Sequence, residues 1–170
     1  YNFGQPSPNP NAAIINLGTL QASAGGSIVL SAPSVRNEGV IEATLGTVVV
    51  GGAKTFAVDF YGDKLLSYAV TGPIDQASTA PDGSPAGVVN TGTLNADGGR
   101  VLVTSRAAAN IVDNLINNTG FVQANSVSIV NGTVVFDAGD GGVSIGGNVS
   151  AVGRNDGDTG GTIKALGRTV

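Results

Sequence analysis

A seven-residue box occurs four times in this chain, and its recurrence limits what the chain can fold into. It reads Asn16-Leu17-Gly18-Thr19-Leu20-Gln21-Ala22, then Asn37-Glu38-Gly39-Val40-Ile41-Glu42-Ala43. It returns as Asn90-Thr91-Gly92-Thr93-Leu94-Asn95-Ala96 and as Asn118-Thr119-Gly120-Phe121-Val122-Gln123-Ala124, with a worn copy at Gly146-Gly147-Asn148-Val149-Ser150-Ala151. The pattern Asn-x-Gly-x-apolar-x-Ala is a turn followed by a short alternating strand. A repeat of this size that cannot bury its own apolar face must stack on its neighbours.

A second element, Gly-x-apolar-x-apolar, follows the boxes. Its copies begin at Gly26, Gly46, Gly99, Gly132, Gly142 and Gly161. The box glycines Gly18 and Gly39 are 21 residues apart, and the later intervals are 53, 28 and 27. The longest interval reads as about two turns plus an insertion. Short strands with Gly and Asn turns at this period predict an all-β chain: a right-handed parallel β-helix (β-solenoid) of roughly six to seven turns with an extra-helical β-hairpin. A β-sandwich of antiparallel hairpins explains the alternation but not the return of the same Asn, Gly and Ala.

Alternation assigns faces. Leu20, Ile41, Leu94 and Val122 point inward with Ala22, Ala43, Ala96 and Ala124. So do Ile28 and Leu30, Val48 and Val50, Val101 and Val103, and Val134 and Phe136. The outward positions Val29, Val49, Leu102 and Val135 form an apolar stripe that stops at Ser144 and Lys164, as a docked cover would leave. The Asn residues Asn16, Asn37, Asn90 and Asn118 fall due at one corner, where their amides can bond from turn to turn.

Composition narrows function. With a net charge of −4 and eight Lys and Arg, no basic cluster marks a nucleic-acid site. The absence of Cys and His excludes disulfides, Ser-His and Cys-His nucleophiles, and His-based zinc sites. No apolar run is long enough for a membrane helix, so no membrane insertion is expected. With no Met, the chain is expected to be a window of something longer. Of the carboxylates that could serve a polysaccharide-acting β-helix enzyme, Glu38 and Glu42 flank Gly39 within one box and would point outward or sit in a turn. Asp137 with Asp140, and Asp156 with Asp158, lie in Gly-rich turns, where Asp is favoured for backbone reasons and calcium is the alternative. No catalytic, cofactor-binding or metal residue is assigned, no cofactor is expected, and the chain is not read as an enzyme.

As one segment, 1–170 divides into an irregular lead-in (1–13), first turns (14–52), a β-hairpin insertion (53–70), a loop (71–87) and further turns (88–170). The prolines Pro6, Pro8 and Pro10 argue against a strand in the lead-in. Lys54 to Phe60 alternates, Tyr61-Gly62-Asp63-Lys64 turns, and Leu65 to Val70 returns, with Phe56, Val58, Phe60, Leu66, Tyr68 and Val70 on one face. From Ser105 to Ile116 the spacing predicts a short helical turn, capped by Ser105, with Ile111 and Leu115 on one face.

These boxes, the Gly-x-apolar strands and the hairpin Phe56-Ala57-Val58-Asp59-Phe60-Tyr61-Gly62-Asp63-Lys64-Leu65-Leu66 resemble the filamentous haemagglutinin family, the large exoproteins of bacterial two-partner secretion. The stretch from Tyr1 to Val48 resembles the later part of the secretion domain, and Val101 to Asn118 resembles the start of the shaft. The family's secretion segment is met only as Asn9-Pro10-Asn11 followed by Ala12-Ala13, and its role is not carried over. The resemblance implies a structural, adhesive rod segment, secreted to or held at the surface of a Gram-negative-type bacterium. It implies an outer-membrane transporter as partner during export and a host-cell or cell-surface receptor or glycan as target. The alternative is a self-assembling filament subunit that associates through its solenoid ends.

Overall fold

The computed structural model describes residues 1–9, 11–60, 66–75, 78–79, 85–108 and 114–170. The described residues form strands and no helix, and most strands belong to three parallel sheets of five. This is consistent with a β-solenoid and excludes the antiparallel sandwich. The first sheet holds Ala13–Asn16, Ser34–Asn37, Val88–Asn90, Asn114–Asn118 and Gly142–Ile145. The second holds the box strands Thr19–Gln21, Val40–Glu42, Thr93–Asn95, Phe121–Gln123 and Asn148–Ser150. Ser27–Ala32, Thr47–Gly52, Arg100–Ser105, Thr133–Asp137 and Thr162–Leu166 make the third.

The register puts equivalent residues over one another. Leu20, Ile41, Leu94, Val122 and Val149 make one column, and Ile28, Val48, Val101, Val134 and Ile163 another. In the middle rungs Ile41, Leu94, Val122, Val48, Val101 and Val134 are fully buried, as are Ala43, Ala96 and Ala124. With Val35, Val88 and Ile116 of the first sheet they form one continuous core. Each Val, Leu or Ile among them contributes about 1.5–3 kcal/mol on leaving water. Leu20, expected inside, is 36% exposed because its rung has a neighbour on one side only.

Among the described residues each of these sheets has five strands, fewer than the six to seven turns expected. Two features of the pairing account for the difference. The 53-residue interval is a single rung, since Asn37 pairs directly with Asn90; the hairpin and the following segment leave and rejoin within it. Gly142–Ile145 pairs with Asn114–Asn118 in the first sheet rather than repeating the second element, so Ser144 does not belong to the outer stripe.

The hairpin forms as expected, with Thr55–Phe60 antiparallel to Leu66–Gly72, while its turn, 61–65, lies outside the described residues. The lead-in is not wholly irregular. Asn2–Phe3 adds a third strand beside Phe56 and Ala57, made possible because the prolines come only after it. The predicted loop 71–87 also contains paired backbone, and 76–77 and 80–84 lie outside the described residues. Thr71 and Gly72 continue the hairpin, Ile74 is fully buried beside Ala107, and Ser78–Thr79 pairs with Pro85–Ala86.

The helical turn over 105–116 is corrected where it can be seen. Ser105 ends a strand, fully buried, with its hydroxyl donating to Gly52 O at 3.3 Å, and Leu115 lies in the strand Asn114–Asn118. Ile111 falls outside the described residues. Helical spacing lost to the parallel partners on the adjacent rungs, which offer backbone hydrogen bonds to an extended strand on both sides.

Candidate interaction surface

The outer face of the third sheet is where this chain departs from a plain stack. Its central column is Val29, Val49, Leu102, Val135 and Lys164. The hairpin lies across it: Val58 and Leu66 are buried against Val49 and Leu102, with Val29, Val135, Phe56 and Tyr68 around them. The expected cover is therefore present.

Tyr68 fixes the docking. Its ring stacks near Phe56 at 5.6 Å, and Phe56 in turn stacks on Phe3 at 4.5 Å. Its hydroxyl shares a hydrogen bond of 2.6 Å with Ser31 Oγ. A Cβ on Gly51 would sit 2.2 Å from that hydroxyl, so glycine there opens the socket that admits the ring. Burial pushes the Tyr68 phenol above its usual range, partly offset by the Ser31 bond. Tyr1 completes the cover, exchanging backbone bonds with Val58 at 2.6 and 2.8 Å.

Beyond the free side of Leu66–Gly72 runs a groove of about 490 Å³, floored by Leu102, Val135 and Leu166 and flanked by Arg100, Arg106 and Lys164. Arg106 meets Asp137 through paired bonds of 3.0 and 2.9 Å, and this guanidinium holds the Asp137 carboxyl below its ordinary value, helped by the Gly139 amide. Among the described residues neither Arg100 nor Lys164 forms an ion pair.

The acids that the sequence pattern singled out lie as follows. Glu38 pairs with Arg36 at 3.4 Å. Glu42 accepts from Gln21 at 3.2 Å and from Asn95 at 3.5 Å, in an outward ladder on the second sheet. Asp158 accepts from the Asn155 amide and side chain, a turn-closing role, while Asp140 and Asp156 are exposed. Among the described residues no three carboxylates converge on a cation-sized site, and no helix is long and apolar enough to cross a membrane.

Asp97 was not singled out by sequence. It is nearly buried at the corner after the second sheet, where it accepts from the Asn125 amide at 2.8 Å, from Gln123 at 2.7 Å and from Arg154 at 3.1 Å. Asn125 then accepts from Ser150 and from the Val152 amide. Only the position of Asp97 and Asn125 one after the box Ala could have signalled this second polar ladder.

No family model, no curated protein and no solved structure matches this chain. The functional reading therefore rests on the geometry and on the resemblance of the boxes and hairpin.

Proposed function

We propose that this chain is a structural, adhesive rod segment of a large secreted bacterial exoprotein of the filamentous haemagglutinin type. The observation that carries the reading is the stacking of three parallel sheets through five rungs, with one register shift between Asn114 and Ile116, locked by an internal amide ladder and covered on one outer face by a hairpin. Such a body transmits load and spaces surfaces; its working parts are faces and edges. The coil is right-handed, the hand that parallel crossovers take, and the segment belongs to a longer solenoid of more turns.

In this reading an outer-membrane transporter exports the protein to the surface of a Gram-negative-type bacterium, and the target is a cell-surface receptor or glycan. The whole exoprotein, seen by electron microscopy, is expected to be a thin rod that lengthens by about 4.8 Å per added rung. Purified rods are expected to bind cells and to compete with adhesion of the producing bacteria. A compact particle that neither binds cells nor needs a partner transporter for export would overturn the proposal. So would release of cleaved product from an acidic polysaccharide.

A further inference from the structure

The cover sheet ends at Leu66–Gly72, and that strand has no neighbour on its far side among the described residues. Its polar backbone groups can be assigned. Val58 exchanges both its bonds with Tyr1, so its amide and carbonyl face away from Leu66–Gly72. Antiparallel alternation then turns Ala57 and Asp59 toward Ala69 and Ser67, and directs the amides and carbonyls of Tyr68 and Val70 at the open edge. An open edge of this kind is a template for one more strand.

What lies beside it defines the strand that would fit. The next position over the stack is the groove above Val135 and Leu166, and Leu166 is 50% exposed. Arg100 and Lys164 border it with no ion pair among the described residues, whereas Arg106 is matched by Asp137. Among the described residues the only ring lining the groove is that of Tyr68, and its hydroxyl is engaged by Ser31, which disfavours a sugar stacked on an aromatic platform.

We infer that this groove captures an extended acidic peptide segment of a partner protein, added as a fourth strand of the cover sheet along Tyr68 and Val70. Its apolar side chains, at alternate positions, meet Val135 and Leu166, and its carboxylates meet Arg100 and Lys164. The inference is independent of the export and adhesion reading, and its failure would leave that reading untouched.

The test uses the full chain and a labelled peptide of alternating valine and glutamate with threonine ends. Binding is followed by fluorescence anisotropy, and backbone amide exchange maps where it occurs. Saturable binding is expected, with slowed exchange at Tyr68 and Val70. Replacing glutamate by lysine in the peptide, or making the surface change Lys164→Glu, is expected to weaken binding about tenfold or more. Val70→Pro, which removes an edge donor, is expected to abolish it; should that variant misfold, the charge change and the exchange map still decide. No binding at millimolar peptide would overturn the inference, as would equal binding of the lysine peptide or protection confined to the outermost rungs. Binding of dextran sulfate with no binding of peptide would overturn it in favour of a polyanionic glycan.

Discussion

Asn37 shows how one residue type does several things at a corner. Fully buried, it donates to Asn90 Oδ1 at 2.8 Å and to the Gly39 carbonyl, while accepting from Asn16 at 2.8 Å. Asn90 repeats this toward Asn118 at 2.7 Å, and the ladder stops where Ile145 takes the Asn position. Removing one amide strands its partners without water. Asn37→Ala and Asn90→Ala should each cost about 2 kcal/mol in urea unfolding. The double variant should cost clearly less than the sum, because both share one bond; strict additivity would deny the ladder. The box glycines matter for another reason: a Cβ on Gly92 would stand 2.1 Å from the Gly39 carbonyl, so only glycine lets successive corners stack this closely. Leu45 bears the cost of an exception, holding φ at 57° in a position where Gly25 and Gly98 sit on the adjoining rungs. At Asp137 the lowered carboxyl pKa sets a direction. The Arg106 contact stabilises the fold above the ordinary carboxyl value of 3.8, and that contribution is lost as pH falls through the lowered folded value. Asp137→Asn should therefore lower the urea midpoint at pH 7 and differ little from the parent near pH 2. An equal difference at both would remove the ion pair as the cause.

At the scale of elements, the hairpin is a separate unit laid on the stack through one apolar seam. Putting a carboxylate into that seam with Val58→Asp should release the cover at a cost of several kcal/mol to its docking. The three-sheet core should survive: hydrogen exchange is expected to quicken across 55–60 and 66–72 while 47–50 and 101–103 stay protected. Loss of protection throughout would mean cover and stack fold as one. The raised Tyr68 pKa gives the same seam an alkaline limit. Because the folded state holds the phenol proton more tightly, docking is fully stabilised below the ordinary value of 10.0 and weakens as pH rises through the raised one. Alkaline loosening should vanish in Tyr68→Phe.

For the 170-residue chain taken by itself, stability should be graded along the stack. Core positions of the middle rungs are fully buried, but Leu20 is 36% exposed at one side of the array and Ile163 47% exposed at the other. In a stack whose units touch only their neighbours, opening begins where a neighbour is missing. Amide exchange should be fastest in the strands near Leu20 and Ile163 and slowest around Leu94 and Val101; a uniform rate would contradict nearest-neighbour stacking.

The amino-acid order by itself determined the strands of the boxes, their inward Ile, Leu, Val and Ala, the Asn corner and the apolar stripe awaiting a cover. These follow from a period of two and from turn chemistry, both local. Tertiary structure alone decided that the 53-residue interval closes as one rung, that Gly142–Ile145 joins the first sheet, and that Ser105 and Leu115 are extended. It also decided that Tyr1 to Phe3 joins the cover, that Gly51 is a socket for Tyr68, and that the Leu66–Gly72 strand borders a groove with Arg100 and Lys164. Each of those depends on which distant segments reach one another, and a parallel rung rewards a strand whatever its own spacing prefers.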